Sequence, residues 1–173
     1  HEGTLFLDEI AELSLEVQSH LLRVLQEKVV TPIGTHEERA VDVRIIAATN
    51  KSLEQMVTDG TFREDLYFRL NVLPIQVPPL RERKQDMRSI ASDIQHSLRH
   101  AGYPVVINKR DWSAADIYAW PGNVRQFINA LKRAAYTERS LEEVIEEESR
   151  STDSPGRGEG LLPVSRENVV SLD

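Results

Sequence analysis

The stretch Gly3-Thr-Leu-Phe-Leu-Asp-Glu9 decides the fold, because a short apolar run ends abruptly in two carboxylates. A second run, Val43-Arg-Ile-Ile-Ala-Ala-Thr-Asn50, also ends in polar residues. Both runs lack the alternation of a half-solvated strand, so we predict two central strands of a parallel sheet that is covered on both faces. Ligands bind beyond the carboxyl ends of such strands. The polar residues that end the runs are therefore expected to share one crevice, namely Asp8, Glu9, Thr49 and Asn50.

Composition limits the classes of protein to which the chain can belong. Its 173 residues fit one domain of average size or two small ones, and 40% hydrophobic with 28% charged residues is ordinary for a globular protein. The absence of cysteine excludes disulfides and thiolate metal sites and is compatible with a reducing compartment. No apolar run approaches the roughly 20 residues that cross a bilayer. The net charge of −7 argues against this chain wrapping nucleic acid by itself.

The N-terminal end predicts a fragment. The chain begins with His1 rather than methionine, only two residues before the first predicted strand. A native domain seldom begins so abruptly, so we expect the complete protein to extend upstream.

The first half of the chain alternates predicted helices and strands. Ser14 is placed to cap a helix whose leucines form one apolar stripe, and Pro78-Pro79 ends the third predicted strand because proline cannot continue a ladder. This order predicts an α/β subdomain with a partial parallel sheet over residues 1–80. Besides the two runs above, the predicted elements are a helix from Ser14 to Lys28, a hairpin-like insertion from Val29 to Val41, a short helix from Thr61 to Leu70 and a strand from Val72 to Val77.

The second half is predicted to be helical. Helices are expected from Gln85 to His100, from Lys109 to Tyr118 and after Pro121-Gly122-Asn123, so residues 81–140 are predicted to form a small all-α lid. The segment from Ser149 to Gly160 is rich in Ser, Gly, Pro and charge, and it buries too little apolar area to offset its ordering entropy. Residues 141–173 are therefore predicted to form an acidic, flexible linker and tail.

The polar residues after the strands suit the hydrolysis of a phosphoanhydride. Asp8 can hold Mg²⁺ through its water shell, and Glu9 can orient or deprotonate the attacking water. Asn50, which follows Thr49, can hydrogen-bond a terminal phosphate or that water. Each residue also has a plainer interpretation, since strands often end in acidic residues and asparagine often turns the chain.

Two arginines follow in the predicted helix from Thr61 to Leu70. Six helical residues rotate by about 600°, so the side chains of Arg63 and Arg69 are expected about 120° apart and cannot both bind one phosphate by simple alignment. One hypothesis is a solvated helix face paired with Glu64 and Asp65, which contributes little energy. The other is an arginine finger that reaches a phosphate bound on a neighbouring subunit.

Taken together, the motifs resemble those of one family. Six motifs follow one another along the chain in the order seen in bacterial enhancer-binding proteins. These proteins are the AAA+ ATPases that activate the sigma-54 form of RNA polymerase. The resemblance covers about residues 3–139, and the combination is far more specific than any single motif. The motifs are Gly-Thr-Leu-Phe-Leu-Asp-Glu-Ile at 3–10, Leu-Leu-Arg-Val-Leu-Gln-Glu at 21–27, Ala-Ala-Thr-Asn at 47–50, Gly-Thr-Phe-Arg-Glu-Asp-Leu-Tyr-Phe-Arg-Leu-Asn at 60–71, Pro-Pro-Leu-Arg-Glu-Arg at 78–83 and Trp-Pro-Gly-Asn-Val-Arg-Gln at 120–126.

The resemblance implies an AAA+ fold of the P-loop type with ATP and Mg²⁺ as cofactors. Asp8 and Glu9 match the Walker B pair of the family, with Mg²⁺ held at Asp8 through water. Thr49 and Asn50 match sensor I, which responds to the terminal phosphate.

The resemblance also implies a self-assembled ring, a hexamer, that remodels the sigma-54 RNA polymerase holoenzyme in the cytoplasm. Arg63 and Arg69 match finger positions that act in trans between subunits, and Arg125 matches sensor II, where the lid reaches the phosphates in cis. Trp120 and Pro121 are expected to set the start of a helix by packing. DNA contact is expected only through a domain outside this chain, and no membrane partner is expected.

Departures from the family pattern leave a second hypothesis open. The Gly-rich phosphate loop with its lysine, and the loop that contacts the sigma factor, do not occur in these 173 residues. The chain by itself is therefore expected to be inactive, and the alternative is a truncated interaction fragment without catalysis. A third hypothesis is another AAA+ remodeller, such as a chaperone or helicase loader. The presence of both the Pro-Pro-Leu-Arg-Glu-Arg motif at 78–83 and the Trp-Pro-Gly-Asn motif at 120–123 disfavours it. Pro32 stands where many relatives carry arginine, and Phe127 where they carry leucine.

Overall fold

The computed structural model describes residues 3–32, 34–152 and 167–172. The chain divides into an α/β unit, His1–Val77 with Ser165–Asp173, and a helical unit, Pro78–Val164. This division lies a few residues before the boundary expected between residues 80 and 81. In the described residues no helix is both long and apolar enough to span a membrane.

The α/β unit contains the strands of the described residues. They are β1 (Gly3–Leu7), β2 (Val29–Val30), β3 (Arg39–Ala40), β4 (Val43–Thr49), β5 (Leu73–Val77) and β6 (Glu167–Leu172). The main sheet has the order β1-β4-β6-β5, in which β1 and β4 are parallel and β6 is antiparallel to both of its neighbours. The predicted strands β1, β4 and β5 therefore run in one direction, as expected. The strand β6 is not among the predicted strands, because residues 167–172 belong to the segment that the sequence predicts to be a flexible tail.

The helices of the α/β unit, within the described residues, are α1 (Leu15–Glu27), α2 (Leu53–Thr58) and α3 (Glu64–Leu70). The Ser14 hydroxyl caps α1 by accepting a hydrogen bond from the Val17 N–H at 3.4 Å, which confirms the predicted cap. α3 begins at Glu64 rather than Thr61, because Gly60 turns the chain at φ 71° and Arg63 is extended. The antiparallel pair of β2 and β3 confirms the hairpin-like insertion.

The core of the α/β unit places β4, but not β1, in the interior. Ala47 of β4 packs in a cluster with apolar residues of α1, α2 and α3. Leu5 and Phe6 of β1, in contrast, are 46% and 56% exposed. Within the described residues β1 is an edge strand, so the prediction of a central strand covered on both faces is wrong for β1. A continuous apolar run shows that a strand can be buried, whereas its place in the sheet depends on segments distant in sequence.

The helical unit contains α4 (Asp86–His100), α5 (Lys109–Ile117), α6 (Asn123–Thr137) and α7 (Leu141–Thr152). The helices α4 and α5 confirm the predicted helices to within one residue at each end, and α6 begins where a third helix was predicted. The core of this unit is built around Trp120 and Phe127, whose side chains are fully buried with ring centroids 5.0 Å apart. Phe127 therefore acts through packing.

The helix α7 corrects the predicted linker. Leu141, Val144 and Ile145 are buried, and α7 contacts both α5 and α6. Spacings of three and four residues place these apolar side chains on one helix face, although the acidic residues around them give the segment the composition of a linker. Of the predicted linker and tail, residues 153–166 and 173 lie outside the described residues.

Candidate functional site

Polar residues meet at the carboxyl ends of β1 and β4. Leu7 lies beside Ala47 in the parallel register, so Asp8 and Glu9 follow β1 at the level at which β4 ends. Neighbouring strands are about 4.8 Å apart, so the backbone of Asp8 and Glu9 lies beside the last residues of β4. The structure therefore brings together the four residues that the sequence placed in one crevice: Asp8, Glu9, Thr49 and Asn50.

The two carboxylates stand on a sharp turn. Glu9 adopts φ 52° and ψ 45°, in the left-handed region, and the Asp8 carboxylate accepts a hydrogen bond from the Glu9 N–H at 3.0 Å. Ile10 and Ala11 follow directly and are 1% and 5% exposed, so they anchor the turn in the core. The left-handed conformation is unfavourable by about 1–2 kcal/mol for a residue with a side chain. Packing of the next two residues maintains it while both carboxylates remain exposed.

The Thr49 hydroxyl holds the turn that follows β4. Thr49 is buried, and its Oγ1 accepts a hydrogen bond from the Lys51 N–H at 3.1 Å, while Asn50 between them is exposed. The Lys51 ammonium forms an ion pair of 2.7 Å with Glu12, which links the segments that follow β4 and β1. Sequence reasoning missed these two charged residues, because no spacing rule relates residues on separate strand ends.

Arg63 is held in place by three side-chain contacts. Its guanidinium donates to both carboxylate oxygens of Asp65, from Nε at 2.9 Å and from Nη2 at 2.6 Å, and Nη1 donates to Ser19 Oγ at 3.1 Å. The hydrogen bond from Arg63 holds the pKa of the Asp65 carboxyl below its usual value. The same hydrogen bond raises the pKa of Arg63. The arginine is therefore charged and oriented rather than freely mobile.

Arg69 lies at the other end of α3. Its guanidinium donates to the Leu25 carbonyl of α1 at 3.4 Å, and it lines a cleft of about 800 Å³ with Lys28 and Arg44, near the first residues of β1, β4 and β5. The seven residues of α3 span about 10 Å, so Arg63 and Arg69 do not converge on one point. The angle of about 120° expected from helical rotation does not apply, because Arg63 precedes the helix.

Arg125 belongs to the helical unit, where it is exposed in the first turn of α6. The turn before α6 is held by Trp120, whose indole N–H donates to the Ala115 carbonyl at 2.9 Å. Asn123 Oδ1 accepts a hydrogen bond from the Leu80 N–H at 3.0 Å, which ties the start of α6 to the start of the unit. The packing role expected for Trp120 is confirmed, since its side chain is fully buried.

Comparison with known proteins identifies the family. Residues 1–76 match the Sigma-54 interaction domain. The chain is 48% identical over 134 residues to the nitrogen fixation protein VnfA of Azotobacter vinelandii, covering 76% of this chain and 26% of VnfA. It is 44% identical over 162 residues to the DNA-binding transcriptional regulator NtrC of Rhizobium meliloti, covering 88% of this chain and 33% of NtrC.

Solved structures agree with this assignment. NtrX from Brucella abortus in complex with ADP has a TM-score of 0.78 and 34% identity, over 91% of this chain and 38% of NtrX. The same protein in complex with ATP gives a TM-score of 0.74 and 35% identity. The chain spans only 26% to 38% of the length of these relatives. Residues 1–76 match the Sigma-54 interaction domain, and together with the relatives above this match confirms the resemblance found in the sequence.

Proposed function

We propose that this chain supplies the hydrolytic part of an AAA+ ATPase that couples ATP hydrolysis to activation of sigma-54 RNA polymerase. The proposal is carried by the placement of Asp8, Glu9, Thr49 and Asn50 at one sheet edge, in a chain that matches the Sigma-54 interaction domain. The NtrX complexes with ADP and with ATP support an adenine nucleotide as the ligand. The family relationship supports the sigma-54 holoenzyme as partner, assembly as a hexameric ring and a cytoplasmic location.

The side chains at the sheet edge suit a nucleotide carried with Mg²⁺. Asp8 and Glu9 are exposed carboxylates, and Mg²⁺ bound to phosphates prefers one or two carboxylates and several waters. Asp8 would hold the ion through its water shell, and the ion would supply positive charge at the phosphate oxygens. Glu9 would orient the attacking water and accept its proton. Asn50 would hydrogen-bond the terminal phosphate or that water.

The arginines would supply the remaining charge. A guanidinium aimed at the transferring phosphoryl group stabilises charge that develops in the transition state. Arg63 and Arg69 are proposed to act in trans, on a nucleotide bound by the neighbouring subunit, and their separation along α3 supports a different contact for each. Arg125 is proposed to contact the phosphates bound by its own subunit.

An interaction module without catalysis is the second candidate. The sequence contains no Gly-rich phosphate loop with its lysine, so the 173 residues alone are proposed to lack ATPase activity. Such a module would act by binding a partner protein and would not hydrolyse nucleotide. The two candidates differ in whether the full-length gene product depends on Glu9 for turnover.

The test is Glu9→Gln in the full-length gene product. The amide keeps the size of the side chain and loses its basicity, so nucleotide binding is expected to persist while kcat falls by roughly 10²–10⁴-fold. Glu37→Gln is the matched control, because Glu37 is exposed in the loop between β2 and β3. Turnover in steady-state assays that is equal for wild type and Glu9→Gln would contradict the catalytic role. A wild-type protein without turnover would favour the interaction module.

A further inference from the structure

Gln18 is a buried amide that joins α1 to the segment before α3. Its side chain is fully buried (0% exposed). Nε2 donates to the carbonyls of Leu13 at 2.8 Å and Thr61 at 3.2 Å, and Oε1 accepts a hydrogen bond from the Arg63 N–H at 2.9 Å. Both donor hydrogens and the acceptor oxygen are thus used, and two of the three bonds reach the backbone around Arg63.

These bonds fix the backbone on both sides of Phe62. Phe62 is 2% exposed, so the chain between the two bonded residues is also held by packing. Arg63 is extended at φ −74° and ψ 131°, and its carbonyl accepts the first hydrogen bond of α3, from the Tyr67 N–H at 3.0 Å. The position of the Arg63 Cα atom, and therefore the point from which its side chain projects, depends on Gln18.

The next residue of α1 holds the other end of the same arginine. Ser19 Oγ accepts a hydrogen bond from Arg63 Nη1, and Asp65 binds the remaining edge of the guanidinium. Successive residues of α1 therefore contact the backbone and the side chain of Arg63. We propose that Gln18 is a positioning residue for Arg63, which it holds so that the guanidinium can reach a phosphate on a neighbouring subunit. This inference rests on the finger role proposed above for Arg63.

A buried amide bonded to backbone can also serve the fold alone, since most buried polar groups are paired in this way. The positioning role and the purely structural role predict different effects of a substitution at Gln18. A positioning residue changes kcat in the neighbouring site and leaves the nucleotide affinity of its own subunit unaltered. A purely structural residue lowers stability without a selective loss in the neighbouring site.

The experiment uses Gln18→Met in the full-length gene product. Methionine keeps the approximate volume and removes all three hydrogen bonds. A displacement of about 1 Å at a reacting group can lower the rate by about 10²-fold, so we expect a loss of roughly 10- to 100-fold in kcat with the dissociation constant for ATP unchanged. Gln95→Met is the control, because the Gln95 amide donates to the Val105 carbonyl at 3.0 Å within the helical unit. Its kcat is expected to equal that of wild type.

Mixing experiments assign the loss to the neighbouring site. Gln18→Met subunits retain Glu9, so rings mixed with Glu9→Gln subunits contain sites that pair an intact Glu9 with a correctly held Arg63. Such mixtures are expected to regain ATPase activity after subunit exchange has been confirmed. Mixtures that stay as inactive as both parents would overturn the proposal, as would wild-type kcat in Gln18→Met.

Two further variants keep the result interpretable. Arg63→Ala is measured in parallel, and wild-type kcat in that variant would refute the finger role itself. If Arg63→Ala is inactive and Gln18→Met is not, only the positioning role fails. If Gln18→Met does not fold, Gln18→Asn replaces it, because asparagine keeps the amide but is one methylene shorter and cannot reach the same three partners. Wild-type kcat in Gln18→Asn would then overturn the proposal.

Discussion

Replacement of Asp111 by alanine is expected to lower the free energy of unfolding of the helical unit by about 3 to 6 kcal/mol. The Asp111 side chain is fully buried, and its two oxygens accept hydrogen bonds from the N–H groups of Asn108 and Glu142, both at 2.9 Å. The first bond completes the capping box of α5, and the second binds the first turn of α7. A hydrogen bond to a charged group contributes about 1.5–3 kcal/mol, so the loss of two gives the expected range.

Fluorescence during urea unfolding measures this effect in one unit. Both tryptophans of the chain, Trp112 and Trp120, lie in the helical unit, so their emission follows that unit separately. Asp111→Asn retains one acceptor oxygen, so it should lower the free energy of unfolding by about half as much as Asp111→Ala. Asp93→Ala removes an exposed carboxylate from α4 and should change the free energy of unfolding by less than about 0.5 kcal/mol. A change of similarly small size for Asp111→Ala would refute the reasoning, because the carboxylate would then not hold α7.

Other predictions concern Arg63, which precedes α3, and Arg69 within it. Arg63→Ala or Arg69→Ala in the full-length gene product should lower kcat by roughly 10³–10⁵-fold with much less effect on nucleotide affinity, while Arg23→Ala, on the exposed face of α1, should leave kcat unchanged. Mixed rings of Arg63→Ala and Glu9→Gln subunits should regain activity; if they stay inactive once subunit exchange is confirmed, the arginine does not act in trans. The pKa of Asp65 lies below its usual value of 3.8 because of Arg63, so the stability that this pair contributes is present above that pH and is lost as the pH falls through the lowered pKa. NMR titration should show the pKa of Asp65 rising in Arg63→Ala, and an unchanged value would contradict the pairing.

The amino-acid sequence by itself determined the local elements of this protein. The cap at Ser14, the helices α4 to α6 and the existence of the strands β1, β4 and β5 all follow from signals that lie within a few residues of one another. Because the carboxyl ends of parallel strands lie at one edge, the meeting of Asp8 with Asn50 could also be predicted.

Tertiary structure alone decided which residues are neighbours across the fold. Within the described residues, the edge position of β1 and the antiparallel strand β6 between β4 and β5 depend on segments distant in sequence rather than on local pattern. The apolar face of α7 follows from local spacing, but the helices that cover it, α5 and α6, do not. The same holds for the ion pair of Lys51 with Glu12 and for the bond from the Arg63 N–H to Gln18. Such contacts form between residues dozens of positions apart, where no helical or strand period relates them, so only the folded chain brings the positioning amide to the arginine.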